Sequence, residues 1–146
     1  WLSHCPMPLP YFLIRNSTMK LTKLIRSRCN KLNVHLRLGK GYNVRAPDGT
    51  LCDGYFDPPH LGLYGELVVA TKRPKRDWQY TLLHEYAHML QWFNDDPIFD
   101  STDYYSLEKQ TEREALKFSK EFGLDVAVCM KESRNYLRFV KSRQEK

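Results

Sequence analysis

Leu82-Leu83-His84-Glu85-Tyr86-Ala87-His88-Met89-Leu90 is the stretch on which the reading of the whole chain turns. Trp78, Leu82, Leu83, Tyr86, Ala87, Leu90 and Phe93 recur at helical spacing, which predicts a helix from Asp77, its N-cap, to a point before Pro97. On that helix His84 and His88 stand one turn apart on one face, so both imidazoles can reach a single ion. Imidazole nitrogen is a good zinc donor. Glu85 projects about 100° around the helix from His84 and lies beside such an ion rather than on it. There it can take a proton from a water that the ion has acidified.

Upstream, Gly65–Thr71, with Leu67, Val68 and Val69, is the best strand in the chain, followed by the basic connection Lys72-Arg73-Pro74-Lys75-Arg76. Val34, Leu36 and Leu38 alternate with His35 and Arg37 at strand period. Pro47-Asp48-Gly49 marks a turn, and Tyr55-Phe56 a short strand that Asp57-Pro58-Pro59 ends. Lys20–Leu32 reads as a basic amphipathic helix. Downstream, Asp95–Tyr105 is a polar loop with aromatic residues. A helix from Ser106 to Phe122 follows, with Leu107, Ala115, Phe118 and Phe122 as its apolar stripe and Gly123 as the C′ residue. A third helix covers Asp125–Arg143 and has a basic tail. Helix, short strands, then helices indicate an α+β domain.

The 146 residues suit one domain, and 42% hydrophobic residues supply its core. We expect that domain over residues 19–146. Residues 1–18 are expected to form an extended arm, with Met19 as a natural start and the preceding residues as translated upstream sequence. No apolar run approaches the roughly 18–20 residues of a spanning helix, so no membrane partner is expected. Four cysteines without a C-x-x-C pair suggest a reducing, cytoplasmic setting. The net charge of +6 is a mild basic excess.

A hydrolytic zinc needs a third protein ligand and an open position. No histidine follows His88, so the ligand is expected to be a carboxylate, and Glu108, Glu112 and Glu114 on the next helix all qualify. Periodicity does not choose among them.

The segments Gly54-Tyr55-Phe56-Asp57, Glu66-Leu67-Val68-Val69, Tyr80-Thr81-Leu82-Leu83-His84-Glu85-Tyr86-Ala87-His88 and Glu112-Arg113-Glu114-Ala115-Leu116-Lys117-Phe118 resemble the ImmA/IrrE-type metallopeptidases of the gluzincin-like group. The resemblance covers about residues 54–122. It implies a zincin-like domain in which a small twisted sheet of about three strands precedes the H-E-x-x-H helix, a glutamate-bearing helix and a basic C-terminal helix. It implies one catalytic Zn2+ held by His84, His88 and Glu112, with Glu85 as general base. The implied function is a regulatory endopeptidase with few protein substrates, of phage or mobile-element origin. It further implies that Gly65–Thr71 is the edge strand lining the cleft. Leu116 stands where the family usually has a polar residue. The groups that orient the histidines are therefore sought among Asp95, Asp96, Asp100 and backbone carbonyls.

Tyr64, Tyr86, Tyr104, Tyr105 and His60 are candidates to stabilise an oxyanion. Two other functions are compatible with the residues. The basic helix Lys20–Lys31 and tail Lys131–Lys146 suit a SprT-like, DNA-associated metalloprotease, although no nucleic-acid motif accompanies them. A non-catalytic zinc-binding interaction module would keep the ion and lose the chemistry.

Overall fold

A computed structural model describes the backbone of residues 11–144 and the side chains of residues 21–144. Four helices and a small mixed sheet make an α+β fold. The order is α1 (Tyr11–Lys31), β1 (Val34–Gly39), β2 (Val44–Arg45), β3 (Leu51–Cys52), β4 (Gly54–Asp57), β5 (Gly65–Ala70), α2 (Lys75–Phe93), α3 (Tyr104–Glu121) and α4 (Val126–Gln144). A 3-10 turn, Pro97–Asp100, interrupts the loop between α2 and α3.

The extended arm expected over residues 1–18 is replaced, from Tyr11 on, by the first turns of α1; residues 1–10 lie outside the described residues. Asp77 is not the N-cap of α2. Pro74 takes that position and Asp77 sits in the first turn, where its carboxylate still complements the helix dipole. Asp103 caps α3, accepting from the Ser106 N–H, and therefore starts that helix earlier than its apolar stripe suggests. Gly123, at φ +74°, follows the α3 C-cap as expected.

The main sheet has the order β1-β5-β4, with β1 parallel and β4 antiparallel to β5. β5 is thus central, which corrects the expectation that it is an edge strand. Its nearly uninterrupted burial from Gly65 to Ala70 is what a strand paired on both sides requires. The edge beside α2 belongs to β4. β2 and β3 form a separate hairpin around the Pro47-Asp48-Gly49 turn, with Gly49 at φ +90°.

One core joins the layers. Leu21, Ile25 and Cys29 of α1 meet Val34 of β1, Leu67 and Val69 of β5, and Leu82, Leu83, Tyr86 and Met89 of α2, with Ala115 of α3 closing the far side. Cys29 behaves as a small core residue: its sulfur lies 3.7 Å from that of Met89, and burial pushes its thiol up to about 11. Among the described residues no helix is long and apolar enough to cross a membrane.

β5 comes close to the end of β4 at Gly65, where an added Cβ would lie 2.5 Å from the Asp57 carbonyl oxygen and 2.7 Å from the Pro59 nitrogen. These are backbone atoms and cannot swing aside. Gly65→Ala is expected to destabilise the fold by about 1–3 kcal/mol, the usual cost of overpacking. Urea unfolding monitored by circular dichroism checks it.

Candidate metal centre

α2 carries its histidines on the side that meets α3. His84 and Glu85 are buried, and His88 is half-buried. Glu108 and Glu112, one turn apart on α3, are buried against them at 4% and 2% exposure. The packing of α2 on α3 therefore gathers three carboxylates and two imidazoles in one place. Tertiary packing alone can assemble such a set, because 24 residues separate His84 from Glu108 in sequence.

His84, His88 and Glu108 offer ligand atoms that all lie within 4.8 Å of one another. His84 Nε2 is 3.0 Å from Glu108 Oε2, and His88 Nε2 is 3.5 Å from Glu108 Oε1. Two donors each about 2.0–2.1 Å from a tetrahedral ion sit about 3.3 Å apart, so these separations suit a shared cation. Glu108 Oε2 is buried and has no hydrogen-bond partner despite its nearness to His84. A buried lone pair with no N–H aimed at it costs free energy, and a cation would satisfy it. None of Glu85, Glu108 and Glu112 forms an ion pair with Lys or Arg among the described residues; the ion pairs of Glu108 and Glu112 are with histidine. The donor set fits a divalent metal ion.

Glu112, which the family resemblance implied as the third ligand, occupies a different place. Its Oε1 is 3.0 Å from His84 Nδ1, on the side of the ring away from Glu108, and its Oε2 accepts from the Tyr80 hydroxyl. The helical period explains the exchange. Glu108 and Glu112 share a face, and the one nearer the N-terminus of α3 meets both Nε2 atoms, while its neighbour one turn on meets the back of His84. A carboxylate on Nδ1 holds the ring in position and presents Nε2 as the ligand atom.

His88 has an analogous support of neutral charge. Its Nδ1 is 3.1 Å from Gln91 Oε1, and the Gln91 amide donates to Thr111 Oγ1 and Glu114 Oε2, each at 3.0 Å. Glu114, the third carboxylate on α3, thus belongs to this support; Gln110 joins it to Asp96. Neither Gln91 nor Tyr80 is singled out by apolar periodicity. The available sequence signal for Gln91 is its place one turn beyond His88. Of Asp95, Asp96 and Asp100, only Asp96 enters this network, and it does so at its outer end.

The electrostatics follow from burial and proximity. Burial disfavours charge on His84, but Glu108 and Glu112 beside it outweigh this and hold its pKa well above the ordinary imidazole value. Burial likewise opposes ionisation of Glu108, and the two histidines overcome it, keeping the carboxyl well below its usual range. A bound cation would take the place of the imidazole proton. Burial raises the pKa of Glu85 despite the adjacent histidines, which suits a group that accepts a proton.

Gly54 brings β4 against this region. A Cβ there would lie 2.8 Å from the Val68 carbonyl oxygen and 3.4 Å from Glu85 Cγ. On the His88 side stands the Phe99 ring, 6.5 Å away and next to Phe56. On the His84 side the Tyr136 ring of α4 packs edge-on at 5.4 Å, its hydroxyl 3.4 Å from that of Tyr104. Burial raises the Tyr136 phenol pKa, and Glu108 adds to the shift, so the O–H stays protonated. Among the five residues considered for an oxyanion role, Tyr104 alone reaches this neighbourhood through Tyr136. Tyr86 is a core residue against Phe118, Tyr64 stacks on His35, His60 contacts Asp57, and the Tyr105 amide binds Gln144.

No protein-family profile, curated protein or solved structure matches this chain.

The geometry separates the roles of the two α3 carboxylates. Glu108→Ala is expected to abolish stoichiometric binding of an added divalent ion such as zinc. Glu112→Gln is expected to weaken it by about 10–100-fold, the usual cost of losing a partner that orients a ligand. Competition against a chromophoric chelator measures both. Equal losses from the two substitutions would contradict this division.

Proposed function

We propose that this protein is a zinc-dependent endopeptidase with a zincin-like arrangement of sheet and helices. The observation that carries the reading is the convergence of His84, His88 and Glu108, with Glu85 buried beside them. The resemblance of the H-E-x-x-H region to ImmA/IrrE-type metallopeptidases supports it. It also favours a regulatory enzyme acting on few proteins over a digestive one.

Zinc bound there would act as a Lewis acid toward the scissile carbonyl and would acidify water. Glu85, with its pKa raised by burial, accepts the proton of the attacking water. It returns that proton to the amine nitrogen as the C–N bond breaks. Glu112 and Gln91 keep the two imidazoles oriented throughout. The outer edge of β4 offers backbone groups on which an extended peptide can lie as an added strand. That edge passes beside Glu85 because Gly54 has no side chain to hold it away.

Glu85→Gln is the decisive variant. It should bind zinc as the parent does and lose about 100-fold or more in peptide cleavage, the scale of general-base catalysis. Cleavage undiminished in the variant, with zinc retained, would reject the mechanism.

A further inference from the structure

We infer that the outward face of α3 and α4 binds the phosphate backbone of a nucleic acid. The starting point is how α3 sorts its charges. The helix is formally neutral, with Lys109, Arg113, Lys117 and Lys120 against Glu108, Glu112, Glu114 and Glu121. The metal centre draws three of the four acids inward. Glu108 and Glu112 are buried at the histidines, and Glu114 is tied to Gln91 and Gln110. All four cations are exposed on the opposite side. Among the described residues none of them is in an ion pair; the ion pairs of lysine or arginine are Arg37–Glu66 and Arg73–Asp53. A helix that is neutral in sequence therefore presents a basic stripe.

The spacing of that stripe suits a regular polyanion. Lys109, Arg113, Lys117 and Lys120 follow one another by one turn, so they span about 16 Å of helix. A nucleic-acid strand rising about 3.4 Å per phosphate places roughly five phosphates along that length. α4 packs against α3 and adds exposed Arg134 and Arg138, again one turn apart. Phe139, about 100° around the helix from Arg138, is 55% exposed, with the Arg143 guanidinium 5.3 Å from its ring centroid. An exposed ring flanked by a guanidinium is a surface on which a base can stack. This binding is a property of the surface and does not depend on the proposed hydrolysis.

Fluorescence anisotropy of the zinc-loaded full chain with labelled single-stranded DNA of about 20 nucleotides and mixed sequence tests the inference. With about four phosphates neutralised, affinity should fall about 50-fold between about 50 and 200 mM salt. Lys117→Gln with Lys120→Gln should weaken binding about tenfold and flatten the salt dependence by about half. Adding Lys109→Gln and Arg113→Gln should remove most of what remains; should that fourfold variant fail to fold, the double variant decides. Lys23→Gln with Arg26→Gln on α1 should leave affinity within about twofold. The inference is overturned by absence of binding at the lower salt, or by undiminished binding in the α3 variants. It is also overturned if polyglutamate at equal charge displaces the DNA, which would make the face a site for acidic polypeptides.

Discussion

Three carboxylates buried around two imidazoles, with neither lysine nor arginine among the described residues paired to them, are the constraint on which the rest of this structure depends. Taking an ionised carboxylate out of water costs several kcal/mol unless a partner compensates it. Here His84 and His88 are the compensating partners, and two imidazoles cannot balance Glu85, Glu108 and Glu112 fully. The orphaned Glu108 Oε2 is where the shortfall becomes visible. A divalent cation at that point would turn a costly cluster into a stable one, which ties the stability of the α2–α3 contact to metal binding.

The surrounding fold is arranged around that contact. β5, buried on both sides, gives α2 a rigid floor, and the apolar side of α2 rests on it through Leu82, Leu83 and Tyr86. This leaves the histidine side of α2 facing α3. Asp103 fixes where α3 begins. Glu112 and Gln91 then hold the backs of the two rings, one with a charged acceptor and the other with a neutral one. The same inward pull on the acids of α3 leaves its lysines and arginine facing out, so the buried site and the basic surface have a common cause.

Much of this was legible in the chain. The H-E-x-x-H spacing places His84, Glu85 and His88 whatever the rest of the fold does, because helical period alone sets their mutual geometry. The strands β1, β4 and β5 and the helices α2, α3 and α4 follow from alternation, apolar stripes and the turn signals at Asp57-Pro58-Pro59 and Gly123. Less legible were the ends of elements. Asp77 looked like a cap but lies inside the helix, and α1 starts ahead of its clearly patterned part. Capping depends on where a chain enters a packed layer, and local composition records that only weakly.

What the sequence determined by itself was the pair of imidazoles on one helix face and the need for an acid from elsewhere. What tertiary structure alone decided was where each acid stands: Glu108 meets the Nε2 atoms and Glu112 the Nδ1 of His84. Two residues one turn apart share a face, so sequence period cannot rank them; the rotation and height of α3 against α2 can. The same packing made β5 central and β4 the edge, since strand order is a long-range property that alternation within a single strand does not encode.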